Sequence, residues 1–569
     1  MNGAAVIVNV LKQRSVEVVF GMPGLQSLAL YNELAYTEIK HVLITNELYG
    51  AFMAGGYTSA SGKTGVCLSI EGPGISNALS GLAEAKSGSV PLVYIVSISD
   101  KEAEQYGKIH DLKISKVFKE VVKSYIEPQH INEVRNTLQE AFHQASSSSP
   151  GPVIFAIRED LLKEDETENQ VVAVKERECF FKEHDDKIKE AVRLIHESTS
   201  VGFYCGDGAF GARKEIRYLA DRLGASVGTT LAGRGLISEK EEMVVGWGDG
   251  ESGLKKMDCF FQQTDLLIVI GCHFTQMATL NWTVQPKGKI IYIDVMTEER
   301  EDIYKNKTVL IIAQKIEVVI AKLIQELEAL NICKNDNACK RLSNNLPCLK
   351  RETASKVSPA QFFRMLNQYM KPEDVLVVDC GNNQLWSYTD YRVSLPRTFI
   401  GPLDYQSMGF SIPGAIGAKL ADKNKKIISV IGDGGFLLSG LEIITAVKEG
   451  LDIPFFIFCD GKLGIIDEVQ KKRYGREESV KVVLPDLKYF AQALGLNYFS
   501  IKKEDELLKM DEIIKSKETS LVEVAIDYKN ISPYLKVSAK NNFFKKPLAK
   551  KVEDIVETIN HHVKHRLNS

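Results

Sequence analysis

Continuous apolar runs of five to seven residues recur along this chain, separated by longer stretches whose apolar positions repeat at helical spacing. In the first third these runs are 16–21, 41–45, 65–70, 92–97 and 153–157. A second set occupies 201–205, 266–271, 289–295 and 308–313, and a third 375–380, 427–431, 455–459 and 521–526. Such runs, without polar alternation, describe strands buried on both faces, which happens when helices cover both sides of a parallel sheet. The acidic stretch 163–170 and the polar run 331–358 read as connections. The pattern therefore predicts an α/β protein of three open, mainly parallel-sheet domains at 1–165, 185–330 and 355–530, with ligands at the C-terminal ends of the strands. Beyond Asn530 lysines accumulate, and Leu548, Val552, Ile555, Ile559 and Val563 recur at helical spacing. Residues 531–569 thus form a basic tail that closes in an amphipathic helix, expected to dock on its own subunit.

Composition narrows the function classes. At 569 residues the chain exceeds a single core, and 25% charged with 44% hydrophobic residues is an ordinary globular balance. A net charge of −3 gives no electrostatic case for nucleic acid or a membrane surface as the main partner. No apolar run approaches the ~18 residues of a membrane span, and the start lacks the charged region of a secretory signal. Ten cysteines follow no zinc spacing, and Cys205, Cys272 and Cys459 sit in or beside apolar runs. Buried thiols in a reducing, cytoplasmic setting are expected.

The chemistry concentrates at Gly432-Asp433-Gly434-Gly435, which ends the run 427–431, and at Asp460, 27 positions later at the end of the run 455–459. A lone Gly-Asp-Gly after a strand is an ordinary strand-to-helix turn. Two strands that each deliver an oxygen ligand at their C-terminal ends suit a hard cation. Mg²⁺ takes one or two carboxylates and completes its octahedron with phosphate oxygens and water. The glycines let backbone approach a diphosphate, and the following helix N-terminus favours its charge.

This arrangement resembles the cofactor motif of thiamine diphosphate enzymes, in which Gly-Asp-Gly is followed by an asparagine where Asp460 stands. Two further segments agree. Asn46-Glu47-Leu48-Tyr49-Gly50-Ala51, with Glu71-Gly72-Pro73-Gly74-Ile75-Ser76-Asn77, looks like the activating-glutamate segment and Gly-Pro-Gly loop of the acetohydroxyacid (acetolactate) synthase and pyruvate oxidase group. The segment from Tyr405 to Ala418 is similar to the one whose bulky apolar residue bends the cofactor, and Met408 lies 25 residues before Asp433. The resemblance implies pyrimidine-binding, central and diphosphate-binding domains, in that order. It implies thiamine diphosphate and Mg²⁺ as cofactors, with Glu47 activating the aminopyrimidine. Asp433 and Asp460 would bind the metal through their side chains and Lys462 through its carbonyl oxygen. Gly72, Asn77, Asn382, Asn383, Met408, Gly432, Gly434 and Gly435 would contact the cofactor. His110, at a family glutamine position, is a proton shuttle candidate. Gln26 and Leu25, after a Gly-x-Pro-Gly turn, are pocket candidates. A homodimer or homotetramer with active sites shared between subunits is implied, acting on small molecules.

The chain departs from acetolactate synthases in three places. Gly271-Cys272-His273-Phe274-Thr275-Gln276-Met277 replaces a motif with two arginines, and a bidentate guanidinium is hard to replace in carboxylate recognition. That argues against FAD and against a second 2-oxo acid as acceptor, unless His273 substitutes for the charge. Val469 stands where the family has a tryptophan, which widens the pocket. Asn383 replaces a diphosphate-contacting histidine. The expected reaction is decarboxylation of a 2-oxo acid, pyruvate foremost, with transfer of the acyl-anion unit to an uncharged carbonyl acceptor. Simple decarboxylation or C–C lysis is the alternative, and a flavin-dependent oxidase comes third. A silent paralogue acting as a binding subunit is a reading from another class, opposed by the retention of Glu47, Asp433 and Met408.

Overall fold

Three six-stranded sheets, each entirely parallel and flanked by helices, build the protein. The computed structural model describes residues 1–100, 109–147, 149–166, 185–282, 285–295, 304, 306–334, 356–528 and 531–545. The first sheet contains β1 (Val18–Gly21), β2 (Lys40–Leu43), β3 (Gly65–Ile70), β4 (Leu92–Ile98), β5 (Ser124–Ile126) and β6 (Pro152–Arg158), in the order β2-β1-β3-β4-β6-β5. The second contains β7 (Val201–Cys205), β8 (Ser226–Thr229), β9 (Val244–Val245), β10 (Leu266–Ile270), β11 (Lys289–Asp294) and β12 (Thr308–Ala313), ordered β12-β11-β10-β7-β8-β9. The third contains β13 (Val375–Val378), β14 (Phe399–Ile400), β15 (Ile427–Gly432), β16 (Pro454–Cys459), β17 (Asn497–Ile501) and β18 (Ser520–Ala525), ordered β14-β13-β15-β16-β18-β17.

Register decides which strand ends meet. Gly432 pairs with Phe458 across β15 and β16, so Asp433 and Asp460 leave adjacent strands within a residue of one another. Val378 pairs with Val430, which brings the turn after β13 beside them. In the first sheet Gly21 pairs with both Leu43 and Leu68, so the turns after β1, β2 and β3 share one edge.

The first and third domains share a core, in which Phe52 meets Phe410 edge-to-face at 5.4 Å between ring centroids. Its spine is the packing of the Glu47–Ser61 helix on the Ser411–Ala421 helix. Backbones touch here, because a methyl group on Gly56 would overlap the Gly414 carbonyl and one on Gly417 would overlap that of Met53. Gly56 opposite Gly414 and Met53 opposite Gly417 make the pair antiparallel. Glu47 precedes Gly56 by nine residues and Met408 precedes Gly414 by six, in opposite directions. At 1.5 Å per residue, Glu47 and Ser411, which open the two helices, lie on the order of 20 Å apart along the pair.

The Pro533–Lys545 helix docks on the body of its own chain. Tyr534 and Val537 are buried, and Tyr534 stacks on Trp247 at 6.3 Å. The periodic positions expected at Leu548 to Val563 lie outside the described residues.

Candidate active site

Two clusters form at the C-terminal edges of the first and third sheets. In the first, the chain leaves β2 through Thr45 and Asn46. The Asn46 carboxamide caps the following helix by accepting the Leu48 N–H at 2.9 Å. Glu47 is therefore the first helical residue, and it is buried, 8% exposed. Asn77, at the end of the Pro73–Asn77 turn after β3, donates to the Glu47 carboxylate at 3.0 Å. Gly74 keeps the space beside Glu47 open, since a Cβ there would sit 3.4 Å from the carboxylate. Gly72 adopts φ +67°, and a Cβ on it would lie 2.8 Å from His110 Cα, so only glycine lets the two turns meet. His110 itself holds a left-handed φ of +65°, and its Nδ1 lies 3.4 Å from the Gln26 amide. Leu25, beside Gln26, is 79% exposed.

The second cluster centres on Asp433, which opens the Asp433–Ser439 helix and is almost wholly buried. Its carboxylate accepts the Gly434 N–H at 2.8 Å and the Gly461 N–H at 2.7 Å, tying the end of β15 to the turn after β16. Asp460 stands beside it. Burial and then the Asp433 charge push its carboxyl up to about 7, and burial also raises Asp433. Lys462 turns its ammonium away, to Asp467 at 3.1 Å and Glu477 at 3.5 Å, so its backbone is what it offers the two aspartates. Met408 reaches over the Gly-Asp-Gly turn: a Cβ on Gly434 would lie 3.2 Å from its Cε. Asn383 donates to the Asp379 carbonyl at 2.7 Å, while Asn382 donates to Glu468 at 3.2 Å. Burial raises the Glu468 carboxyl. The Asn382 Oδ1 and Glu468 Oε2 atoms are buried without a partner. Val469 is 47% exposed on the same helix, Gly464–Tyr474.

These residues fit a magnesium diphosphate. Neither Asp433 nor Asp460 takes part in an ion pair among the described residues, so a buried and a half-buried carboxylate stand side by side with only the more distant Lys462 charge to offset them. No group of three or more His, Cys, Asp or Glu among the described residues could hold a metal unaided. Two carboxylates that need phosphate oxygens to complete a shell are what Mg²⁺ ordinarily uses. Glycine at 432 and 434, and the unpartnered amide oxygen of Asn382, leave room and polarity beside them.

His273 and Met277 join neither cluster. They line a separate cavity of about 880 Å³ beyond the ends of β7, β10 and β11, together with Asp207, Asp294 and Arg397. Arg397 was not singled out from the sequence. Its side chain is exposed to solvent, with φ +63° at its own backbone, and partial desolvation lowers its pKa against the opposing charge of Asp207. Glu468 was also missed, although its place one helical turn past Gly464 was a usable signal.

Three family models match successive stretches of the chain. Residues 1–124 match the thiamine pyrophosphate enzyme N-terminal TPP binding domain, 188–323 the central domain and 379–524 the C-terminal TPP binding domain. The chain belongs to the thiamine pyrophosphate enzyme family. It is a thiamine pyrophosphate-dependent enzyme of the transferase or lyase type, and both clusters fall within the two TPP binding domains. Along its length it is similar to acetolactate synthases. It is 29% identical to the large subunit of Corynebacterium glutamicum, over 93% of this chain and 86% of that one. It is 27% identical to the isozyme 1 large subunit of Escherichia coli, over 92% and 94%. The chloroplastic enzyme of Arabidopsis thaliana is 26% identical, over 89% and 78%. No helix among the described residues is long and apolar enough to cross a membrane.

Proposed function

We propose that this enzyme is a Mg²⁺-dependent carboligase that decarboxylates a 2-oxo acid, pyruvate foremost, and passes the acyl unit to a carbonyl acceptor. The observation that carries the reading is the pair of aspartates at adjacent strand ends beneath Met408, Asp433 buried and Asp460 half-buried. Thiamine diphosphate, when bound, supplies the electron sink that lets a 2-oxo acid lose CO₂ and react as an acyl anion. Asp433, Asp460 and the Lys462 carbonyl would hold the metal, and Asn382 and Asn383 would face the diphosphate. Met408 would pack against the cofactor. Glu47, oriented by Asn77, would hold or release a proton for the aminopyrimidine; His110 and Gln26 would serve the reacting carbon, and Leu25 and Val469 would shape the acceptor pocket.

The active site is shared between two chains. The antiparallel helix pair supports this, because it places Glu47 and Ser411, the helix start just past Met408, at opposite ends, on the order of 20 Å apart in a single chain. A twofold dimer brings the Glu47 of one subunit to the Asp433 of the other.

Two measurements test the reading. Thiamine diphosphate with Mg²⁺ raises the melting temperature of the wild-type protein, and no shift at millimolar cofactor would sink it. Glu47→Gln and Asp433→Ala proteins are each inactive, and mixing them after dissociation restores part of the activity. A fully active monomer in sedimentation contradicts the shared site.

An uncharged acceptor follows from the missing arginines, since losing a charge-assisted hydrogen bond costs about 1.5–3 kcal/mol, roughly ten- to a hundredfold in specificity. Arg397 supplies a guanidinium in the cavity that Met277 lines, which favours a second reading in which that cavity admits a 2-oxo acid acceptor. Matched acceptors with and without a carboxylate separate the two. A tenfold preference for the carboxylate, abolished in Arg397→Ala or His273→Ala, establishes the second.

A further inference from the structure

Two buried glutamates cross between the first and third domains in opposite directions. Glu84, on the Leu79–Ser87 helix of the first domain, reaches the third-domain loop that leads to Met408. Its two carboxylate oxygens accept the Leu403 N–H and the Ser407 N–H, each at 2.9 Å. Glu442, in the third domain, reaches the first-domain turn that leads to Glu47. It accepts the Thr45 N–H at 3.3 Å and the Thr45 hydroxyl, and is braced by the Thr445 hydroxyl at 2.8 Å. Glu84 is 6% exposed and Glu442 is fully buried.

The two bridges are alike in their placement. Each carboxylate holds a turn one or two residues ahead of a cofactor-facing side chain, Ser407 before Met408 and Thr45 before Glu47. Each bridged turn feeds one member of the antiparallel helix pair that forms the spine of the shared core. On the far side of Met408 a third buried carboxylate, Asp379, accepts the Gly409 and Ser411 N–H groups at 3.0 and 3.1 Å. Met408 therefore projects from a backbone gripped on one side by its own domain and on the other by the neighbouring one. A carboxylate with two acceptor oxygens is the side chain that can take two N–H groups at once. Burying it unpaired is costly, so it stays engaged only while the domains keep this spacing.

We propose that Glu84 and Glu442 are reciprocal positioning residues, interdomain latches that set Met408 and Glu47 for the cofactor. The assignment rests on the reading of Met408 and Glu47 as cofactor-facing, but the latches themselves can be tested without cofactor. Amide hydrogen exchange, followed by mass spectrometry on the cofactor-free full chain, compares wild type with Glu84→Ala and Glu442→Ala, and with the milder Glu→Gln variants where alanine prevents folding. In the Glu84 variants the Leu403 and Ser407 amides exchange at least tenfold faster, while the Thr45 amide and those held by Asp379 keep their protection. In the Glu442 variants the pattern reverses: Thr45 is released and Leu403 and Ser407 are not. Calorimetry with thiamine diphosphate and Mg²⁺ then gives about tenfold weaker binding in each, with Glu84→Gln and Glu442→Gln retaining more affinity than the alanines. Unchanged exchange at the named amides overturns the latches, as does faster exchange throughout the chain. Local release without any loss of cofactor affinity overturns the positioning role. Failure of the wild type to bind the cofactor overturns the functional reading instead, and leaves the exchange result standing.

Discussion

Asp379 shows how much of this site is decided by single buried charges. Its carboxyl has no exposure and accepts the Gly409 and Ser411 N–H groups just past Met408. Those hydrogen bonds favour the charged form, yet burial outweighs them and lifts the group from an ordinary value near 3.8 to about 7. A carboxyl whose pKa is raised on folding binds a proton in the native state that the unfolded chain has already lost. Its proton-linked stability is full below about pH 4 and is lost as pH rises through about 7. Asp379→Asn, which mimics the neutral acid, flattens that part of the stability–pH curve between pH 5 and 8, as read by urea unfolding. The slope is the readout, because one end of an amide cannot accept N–H groups and absolute stability falls too. An unchanged slope shows that another of the raised carboxyls, such as Glu84 or Glu442, dominates this window.

At the level of elements, glycines at contact points matter more than apolar side chains. Gly417 faces the Met53 carbonyl so closely that any Cβ would overlap it. Gly417→Ala must push the Ser411–Ala421 helix off the Glu47–Ser61 helix, and overpacking of this kind costs about 1–3 kcal/mol or more. The expected result is a lower melting temperature together with weakened cofactor binding, since the same helices begin at Glu47 and just past Met408. Gly450→Ala is the control: it has φ +63° but nothing within 4 Å, so it tests backbone strain without the helix contact. Equal losses in the two variants would refute the packing argument.

The same distinction explains what the sequence revealed. The strands at the centre of each sheet are unbroken runs of Val, Ile, Leu and Phe, and those runs located β3, β10, β15 and β16 to within a residue. The missed strands are short or carry few large apolar residues. β5, β9, β14 and β17 lie at sheet edges, and β8, Ser226–Thr229, has no large apolar residue but Val227. The strand-end turns at Gly432 and Gly72 were legible because backbone chemistry there demands glycine. Glu84, Glu442 and Arg397 carry no local signal, because each acts on a partner distant in the chain and helix periodicity records only that a polar residue is tolerated.

Across the whole molecule, the central domain is fixed to the third by a buried ion pair. Arg234 and Glu239, 1% and 2% exposed, are joined by two hydrogen bonds of 2.7 Å. Glu239 also accepts the Val393 N–H of the third domain at 2.7 Å, and Arg234 bonds the Tyr391 carbonyl and lies 4.6 Å above the Phe399 ring. Even with Arg234 beside it, burial holds the Glu239 carboxyl above its usual range, so the pair is held at a desolvation cost. Removing one partner is then far worse than replacing both. Arg234→Ala leaves a buried carboxylate unpaired and destabilises by about 3–5 kcal/mol. Arg234→Met with Glu239→Gln keeps an acceptor for Val393 and a hydrophobic group over Phe399, while removing both charges. It gives up a cation–π contact of about 0.5–2 kcal/mol, and it also releases the Arg234 Nη1 group that is buried without a partner. The double variant is therefore expected to unfold in urea much closer to wild type than Arg234→Ala does. If the single variant lies within about 1 kcal/mol of wild type, or the double is the less stable of the two, the pair is not what fixes the central domain to the diphosphate-binding one. Tyr391 and Val393 follow the helix that begins at Asn382, so the same variants report whether that anchorage reaches the cofactor: Arg234→Ala should weaken thiamine diphosphate binding and the double variant should restore it.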